Sequence, residues 1–257
     1  MSEHIHLERD QGLLTIRMQR ADKMNALTRA MYGAMADALD AAGEDRSVRA
    51  VLITGSETCF TSGNDVADFI QAPPSGLDSE VFRFMKALFD FAKPVVAAVS
   101  GPAVGIGTTL LLHCDLVYVA RDAKLKMPFV NLGLCPEFGS SLILPRMLGH
   151  ARAAQLLLLG EAFTGEQAAA WGIANEALDD GAATLARARE MAQRFEQLAP
   201  SAVAVSKRLM REPGREELRQ VIMEEGELFG QRLRTPEAIE ALSAFMQRRK
   251  PDFSRFA

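Results

Sequence analysis

The stretch PVVAAVSGPAVGIGTTLLLHCDLVYVA, residues 94–120, decides the fold of this chain. It begins with a short β-branched run, passes through a glycine-rich segment and a helix-forming segment, and ends in a second β-branched run. Buried parallel strands have this composition, and two of them joined by a helix form a right-handed β-α-β unit. The stretch therefore predicts strands over residues 94–101 and 116–120 and a helix over residues 107–114.

The sequence before this stretch shows the same alternation. Residues 4–18 alternate and then become apolar, which predicts a β-hairpin with its turn at Gly12. Apolar positions at helical spacing predict helices over residues 28–43 and 79–91, and AVLITGS, residues 50–56, is typical of a buried strand. Strands that alternate with helices predict an α/β fold with a mostly parallel sheet covered by helices.

The strand signal nearly disappears in the second half of the chain. After Gly139 the one strand-like run is IANEAL, residues 173–178, and helical patterns continue to the last residues. Helices alone bury little apolar surface over this length, so they should pack on the core or on a neighbouring subunit. We predict an α/β core over residues 1–200 and a C-terminal helical region over residues 201–257.

Composition argues against several classes of protein. A net charge of −4 without a dense Lys/Arg block gives no electrostatic surface for nucleic acid. No run of about 18 apolar residues occurs, so no membrane-spanning helix is expected. The three cysteines, Cys59, Cys114 and Cys135, are odd in number and lack C-x-x-C spacing, which argues against a disulfide framework and a zinc site. We expect an intracellular protein without a metal site.

The first of two glycine-containing loops, CFTSGNDVADF at residues 59–69, follows the strand predicted for AVLITGS. It offers Ser62, Gly63, Asn64 and Asp65, whose backbone N–H groups can point into a cleft. An Asx turn, in which Asp65 only caps the next helix, explains the same residues. The residues themselves leave both interpretations open.

The second loop, SGPAVGIGTTLLL at residues 100–112, joins a predicted strand to a predicted helix. Gly101, Gly105 and Gly107 permit a tight passage, and the helix start supplies free N–H donors and a positive dipole end. A nucleotide-binding loop is disfavoured because no G-x-x-x-x-G-K-[ST] sequence occurs. Glycines required only for close packing are the open alternative.

Together the two loops can present one N–H group each to a single carbonyl oxygen, an arrangement that stabilises an enolate or a tetrahedral oxyanion. Such a site also needs a base, and Glu137 is the one charged side chain in LGLCPEFGSSLILP, residues 132–145. A buried carboxylate without a partner is costly, so it is neutralised, paired or required by chemistry. The alternative is that Glu137 only caps a helix predicted to begin near Gly139.

Four segments resemble the crotonase (enoyl-CoA hydratase/isomerase) superfamily: FTSGNDV, SGPAVGIGTTLLLHCDLVY, LGLCPEFGSS and LLLGEAFTGEQAAAWGIANE. Within it, the chain resembles the peroxisomal-type Δ3,Δ2-enoyl-CoA isomerases, which share the S-G-N-D and G-P-A-V-G-I loops. The resemblance implies an α/β spiral of β-β-α repeats with a helical C-terminal trimerisation region. It also implies an acyl-CoA thioester substrate, a homotrimer or dimer of trimers, and no cofactor beyond the coenzyme A of the substrate.

The resemblance also assigns roles to individual residues. The two oxyanion N–H donors fall on Asn64 and Ile106, and the isomerase base falls on Glu137. Thr109 and Phe129 occupy the places of the two glutamates that hydratases use, and neither side chain transfers a proton at neutral pH. The implied reaction, part of fatty acid β-oxidation, moves a double bond from C3 to C2 of an enoyl-CoA while Glu137 carries a proton from C2 to C4.

Further residues are implied to contact the substrate or its CoA moiety. In the family, the segment that reads RADKMNAL here lies close to adenine and phosphates, and FMQRRKPDF at residues 245–253 is similar to the CoA-contacting C-terminal end. Basic residues at the end of a helix are also favoured by the helix dipole alone. The implied substrate- and CoA-binding residues are Lys23, Asn25, Ala26, Leu27, Ser62, Gly63, Asp65, Val66 and Gly105.

Other functions remain open from the sequence. A hydratase, or another crotonase-type lyase or hydrolase, would need Asp65, Asp68 or a water in place of the missing glutamate. A serine hydrolase would use similar oxyanion loops, but no G-x-S-x-G sequence occurs and His113 lies within a predicted helix beside apolar residues. A non-enzymatic acyl-CoA-binding relative would keep the site without its reaction.

The terminal sequences carry neither of two common targeting signals. The first residues lack a basic leader before an apolar core, and the terminal SRFA differs from the peroxisomal S-K-L-type signal. From these features we expect a bacterial cytoplasmic enzyme.

Overall fold

A computed structural model of the chain describes residues 2–71 and 79–256. Its strands form one sheet of six strands and one of three strands. The strands are β1 Ile5–Asp10, β2 Leu13–Met18, β3 Ala50–Thr54, β4 Val95–Val99, β5 Pro102–Val104, β6 Leu116–Ala120, β7 Lys124–Lys126, β8 Phe163–Thr164 and β9 Glu176–Leu178. The α-helices are α1 Arg29–Glu44, α2 Val66–Gln71, α3 Glu80–Asp90, α4 Ile106–Thr109, α5 Ser140–Leu148, α6 His150–Leu158, α7 Gly165–Ala170, α8 Gly181–Gln193, α9 Pro200–Arg211, α10 Arg215–Arg232 and α11 Pro236–Met246.

The large sheet has the strand order β1-β2-β3-β4-β6-β9. Strands β1 and β2 form the predicted antiparallel hairpin, and every later neighbour pairs in parallel. The strands predicted around residues 50–56, 94–101 and 116–120 are all confirmed, and β3 and β4 are buried along their whole length. Their β-branched runs fit a sheet covered on both faces.

The two faces of the sheet bury alternate side chains of the same strands. Val51 and Ile53 of β3 join the core beneath α1 and α3, whereas Leu52 joins the core beneath α8. This alternation follows from the two-residue period of an extended strand. Layers of helix therefore cover both faces of the sheet.

Several helix boundaries follow local signals in the sequence. Thr164 and Gln167 form a complete capping box at the start of α7, and Thr235 caps α11. The predicted stop at Gly43 is wrong, because α1 continues to Glu44 and the chain turns at Asp45, whose carboxylate accepts the Ser47 N–H at 2.8 Å.

The smaller sheet was not anticipated from the sequence. Its members β5, β7 and β8 are three residues long or shorter, which is below the length at which alternation is recognisable. The helix predicted over residues 107–114 begins one residue earlier, at Ile106, and changes to a 3-10 helix over Leu110–His113. No α-helix within residues 2–71 and 79–256 is long and apolar enough to span a membrane.

An ion-pair cluster around a buried lysine attaches α9 to the sheet. The Asp115 carboxylate accepts hydrogen bonds from the Val95 N–H at 2.8 Å, from Lys207 Nζ at 2.7 Å and from Arg211 Nη2 at 3.0 Å. Lys207, on α9, is only 5% exposed. Its ammonium group also donates to the Lys93 carbonyl at 2.6 Å, so both of its hydrogen bonds within the described residues are internal.

We expect Asp115→Ala to reduce the free energy of unfolding by about 3–5 kcal/mol, because it leaves the buried Lys207 without its counter-charge. Chemical denaturation measures the change. Arg121→Ala is the control, since Arg121 is half exposed and pairs with exposed acids at the surface; it should cost less than about 1 kcal/mol. Equal effects of the two variants would contradict this role of the cluster.

Candidate active site

A cavity of about 400 Å³ lies where the two glycine-containing loops meet α10 and α11. Most of its lining is apolar, which is typical of small-molecule sites. The predicted site residues that line it are Ser62, Gly63, Asn64, Val66, Gly105 and Glu137.

Direct backbone contacts bring the two loops together. The Thr61 N–H donates to the Pro102 carbonyl and the Val104 N–H donates to the Thr61 carbonyl, each at 3.0 Å. Gly63 has a φ of +90°, and a Cβ atom there would lie 2.9 Å from the Val104 carbonyl oxygen. Glycine is therefore required at position 63 for close approach as well as for its backbone conformation.

The N–H group of Asn64 is left free by this arrangement. On either side of it, the Gly63 carbonyl accepts the Leu27 N–H at 2.8 Å and the Asp65 N–H donates to the Leu27 carbonyl at 2.9 Å. The Asn64 N–H has no backbone or side-chain acceptor among the residues that the structure describes. The hydrogen bonds of Gly63 and Asp65 thus fix the loop, while the backbone N–H of Asn64 stays available to donate to a ligand.

The second free donor lies at the start of α4. Gly105, with a φ of +57°, directs its own N–H to the Lys126 carbonyl at 2.8 Å and accepts the Thr108 and Thr109 N–H groups at its carbonyl. The N–H of Ile106 is the first of the helix and has no acceptor in the described part of the chain. The Ile106 side chain is buried in the core, and Ile106 is not among the residues that line the cavity, whereas its neighbour Gly105 is.

Glu137 is buried in the apolar part of this site. Its residue exposure is 6%, and its carboxylate makes no hydrogen bond within residues 2–71 and 79–256, where Oε1 is fully buried without a partner. Burial, together with the negative charge of Glu225, raises the pKa of Glu137 to about 8. The group is therefore a stronger base than an ordinary carboxylate.

The alternative that Glu137 only caps a helix is wrong. The first N–H groups of α5 bond instead to Glu225, a residue of α10: one Glu225 oxygen accepts from Gly139 and the other accepts from Ser141 at 2.9 Å. The Glu137 carbonyl accepts the Ser140 N–H and hydroxyl, at 3.1 and 2.7 Å. The helix start is thus satisfied without the Glu137 carboxylate.

A constrained turn sets the direction of Glu137. Phe138 and Gly139 both have left-handed backbone angles, with φ of +56° and +74°. His113 Nε2 lies 2.7 Å from the Phe138 carbonyl and, as the donor, holds it in place; the two rings stack at a centroid distance of 3.7 Å. Burial lowers the pKa of His113 to about 3, so it is neutral. This packed position gives no support to the serine hydrolase alternative.

Tyr32 was not identified from the sequence. Its side chain is buried on α1, and its hydroxyl donates to the Asn64 side-chain oxygen. Burial and the nearby charge of Glu137 raise the pKa of Tyr32 well above its usual value, so it stays protonated and remains a donor. Tyr32 thereby links the first loop to α1 beside the buried acid.

These features can be compared with known proteins. A family model described as enoyl-CoA hydratase/isomerase matches residues 8–255. The chain belongs to this crotonase family. The structure of OdaA from Pseudomonas aeruginosa is 70% identical, has a TM-score of 0.95 and covers 96% of this chain and 100% of its own. The predicted crotonase-like α/β fold is confirmed as well, since the structure of an enoyl-CoA hydratase/isomerase from Pseudoalteromonas atlantica is 37% identical, has a TM-score of 0.92 and covers 98% of this chain and 100% of its own.

Relatives in this family have different activities in their names. Human enoyl-CoA delta isomerase 2 is 34% identical over 93% of this chain, which spans only 62% of the human protein's length. The 2,3-dehydroadipyl-CoA hydratase of Escherichia coli is 31% identical over 98% of this chain and 99% of its own. The family is therefore established, and the choice between isomerase and hydratase depends on the site.

Thr109 and Phe129, the residues expected from the resemblance at the two glutamate positions of hydratases, are both uncharged. Thr109 is fully buried, and its hydroxyl has no partner in the described residues. Phe129 lines the cavity and meets Phe229 edge to face at 6.4 Å, and Phe229 meets Phe69 in the same way at 6.3 Å. Phe69, Phe129 and Phe229 thus give this part of the cavity an aromatic lining.

The acids proposed to replace that glutamate are occupied elsewhere. Asp65 pairs with Arg20 at 2.6 Å, and it accepts the Ala67 and Asp68 N–H groups at the start of α2. Asp68 pairs with Arg29 at 3.4 Å. Neither aspartate lines the cavity, and among the described lining residues Glu137 is the one acid.

The turn predicted to contact CoA lies outside the cavity lining. Asn25 is 1% exposed, and its amide donates to the carbonyls of Cys59 and Phe60 at 2.9 and 3.1 Å. Leu27 is a core residue, whereas Lys23 is exposed and Ala26 is partly buried. The side chains of Asn25 and Leu27 therefore organise the loops, and a CoA contact from Lys23 or from the backbone of this turn stays a prediction.

We expect the free energy of unfolding of Glu137→Gln to exceed that of the wild type by an amount that grows as pH rises. The Glu137 carboxyl has a pKa of about 8 in the folded protein and 4.5 in the unfolded protein. Its contribution to the free energy of unfolding is therefore complete below pH 4.5 and is lost as pH rises to 8. At about 1.4 kcal/mol per pKa unit, the variant gains up to about 5 kcal/mol over the wild type above pH 8. Denaturant titrations between pH 4.5 and 9 measure the difference.

Glu44→Gln, which removes an exposed acid at the end of α1, is the control for this stability test. Its difference from the wild type should stay within about 0.5 kcal/mol at every pH. A constant difference between Glu137→Gln and the wild type across the same range would show that Glu137 has an ordinary pKa.

Proposed function

We propose that this protein is a Δ3,Δ2-enoyl-CoA isomerase, which moves a double bond from C3 to C2 of an enoyl-CoA by a 1,3-proton transfer. The observation that carries the proposal is the isolation of Glu137. It is the one acid among the described cavity-lining residues, and its carboxylate is not engaged by the helix start beside it. An isomerase needs one group that takes and returns a proton, whereas hydration needs acid and base groups that also handle a water.

The proposed reaction begins with the thioester carbonyl oxygen between the N–H groups of Asn64 and Ile106. Glu137 removes a proton from C2, and the electron pair of that C–H bond spreads over the thioester oxygen, C2 and C4 as a dienolate. The two N–H donors stabilise the negative charge on the oxygen. The protonated Glu137 then donates its proton to C4, which leaves the double bond between C2 and C3 and restores the carboxylate.

The environment of Glu137 suits such a transfer. With a pKa of about 8, roughly a tenth of the carboxyl is ionised at pH 7, and that fraction is a stronger base than an exposed glutamate. Phe69, Phe129 and Phe229 give the cavity an apolar aromatic lining, which disfavours water beside the reacting carbons. A dienolate formed there is more readily protonated by Glu137 than by solvent.

Several further properties belong to the same proposal. Coenzyme A would enter only as part of the substrate, with no separate cofactor, and the enzyme would act in fatty acid β-oxidation in the bacterial cytoplasm. A homotrimer, or a dimer of trimers, is supported by exposed apolar side chains on the C-terminal helices, such as Leu209, Met210 and Phe245. Sedimentation or light scattering of the purified protein measures its oligomeric state.

The activity test compares 3-enoyl-CoA with 2-enoyl-CoA at matched concentrations. The wild type should isomerise the former faster than it hydrates the latter, and Glu137→Gln should lower kcat for isomerisation by about 10²–10⁴-fold or more. Acyl-CoA affinity measured by calorimetry should be unchanged in that variant, and Glu44→Gln should behave as the wild type. Faster hydration than isomerisation would favour a hydratase, and full turnover by Glu137→Gln would refute the proposed base.

The pH dependence of the wild type gives an independent test. Only the ionised carboxyl accepts a proton, so kcat/KM for 3-enoyl-CoA should rise with pH and reach its half-maximum near pH 8. Initial rates at low substrate concentration between pH 5 and 9.5 measure the curve. A half-maximum near the ordinary pKa of glutamate would contradict the buried environment assigned to Glu137.

A further inference from the structure

The helix that follows the candidate base is capped from a distant part of the chain. Gly139, the N-cap residue of α5, has no side chain, and the cap is supplied by Glu225, 86 residues later on α10. Glu225 is itself buried, with an exposure of 6%, and each of its two oxygens accepts one N–H group from the first turn. Ser, Thr, Asp and Asn commonly cap a helix through their own side chains, but the φ of +74° and the contact with Leu218 disfavour any side chain at position 139.

Helix α10 also packs directly on the turn that carries Glu137. A Cβ atom on Gly139 would lie 2.4 Å from a methyl carbon of Leu218 and 3.3 Å from Ile222, both on α10. One helical turn beyond Glu225, Phe229 lines the cavity. The position of α10 is therefore coupled both to the direction of the turn and to the wall of the cavity.

We propose that Glu225 is a positioning residue for Glu137: its carboxylate holds the first turn of α5, which frees the Glu137 carboxylate for the cavity, and its negative charge acts on Glu137 across the turn. This inference rests on the proposed function for its catalytic consequence. The capping geometry and the packing of α10 on Gly139 stand independently of it.

The charged and titratable groups around this pair come from four parts of the chain. Glu225 on α10 raises the pKa of Glu137, Glu137 in turn raises the pKa of Tyr32 on α1, and Cys135 lies in the same loop as Glu137. Glu225 is also affected by Glu224 on its own helix. The remaining neighbours are His113, which is neutral and held to the Phe138 carbonyl, and Arg232, which acts on Cys135 and donates to the Gly133 carbonyl at 2.9 Å.

The two carboxylates have different electrostatic surroundings. Burial raises the pKa of Glu225, but the N–H groups of Gly139 and Ser141 stabilise its charged form at the positive end of α5. Glu137 has no such donors in the described residues, so the charge of Glu225 adds to burial and raises its pKa further. The helix start thus favours a negative charge on Glu225, whereas Glu137 has no group among the described residues that favours its charged form in the same way.

Glu225→Gln tests the inference because it removes the charge and keeps a side chain of nearly the same size. We expect the acid limb of the pH profile of kcat/KM to move to lower pH by about 1 unit, since the like charge is lost. We also expect kcat to fall at least about tenfold, because one oxygen cannot accept both N–H groups and the turn loosens. A residue that only stabilised the fold would leave the pH midpoint unchanged.

Two further variants separate charge from geometry. Glu225→Asp keeps the charge but is too short to reach both N–H groups, so kcat should fall at least about tenfold while the pH midpoint stays at its wild-type value. Glu227→Gln removes an exposed acid from the same helix and should change neither quantity. If Glu225→Gln does not fold, the kcat of Glu225→Asp is the test of the inference. An unchanged kcat in that variant overturns it.

A readout that needs no turnover distinguishes this inference from the proposed function. The infrared band of the protonated Glu137 carboxyl, identified by its loss in Glu137→Gln, can be titrated in the wild type and in Glu225→Gln. A lower midpoint in Glu225→Gln supports the inference even if 3-enoyl-CoA is not isomerised, in which case only the proposed function fails. Equal midpoints in the two proteins overturn the inference, whatever the activity.

Discussion

The site depends on one constraint: the carboxylate of Glu137 is kept in an apolar cavity with no hydrogen-bond donor directed at it from the described residues. An ionised carboxylate in such a place is costly, and nearby donors would normally bind it. Here those donors have other acceptors. The Glu225 carboxylate accepts the N–H groups at the start of α5, and the Tyr32 hydroxyl donates to the Asn64 side-chain oxygen. The protein therefore pairs the groups around the acid with one another and leaves the acid reactive.

The other half of the proposed site consists of backbone N–H groups. The free N–H groups of Asn64 and Ile106 are placed by contacts between the two loops and by glycine at position 63, none of which depends on a reactive side chain. The same backbone can serve different reactions of a bound thioester. In the proposed function, the position of the acids determines the reaction, and Thr109 and Phe129 stand at the expected hydratase positions without a carboxyl group. Isomerase and hydratase names among the relatives agree with this division of roles.

The features that the sequence predicted are those that local chemistry determines. The buried strands, the hairpin at Gly12 and the capping box at Thr164 each depend on residues within a few positions of one another. Glu137 could be selected because a lone acid in an apolar run is visible by inspection. Glu225, which caps the helix after Glu137, could not be selected in this way, because α10 contains several other acids. Only the tertiary structure shows which of them reaches α5. The strands β5, β7 and β8 were missed because two or three residues give no readable period.

Helix α10 connects the chemistry of the core to the C-terminal region. Leu218, Ile222, Glu225 and Phe229 are spaced by four, three and four residues, so they lie on one face of the helix. That face packs against Gly139, caps α5 and forms part of the cavity wall. Because a packed helix moves as a unit, a shift of α10 would displace the cap, the charge near Glu137 and the aromatic wall together. The C-terminal helices are therefore part of the active-site structure, and any subunit contact that fixes α10 would also fix the surroundings of the base.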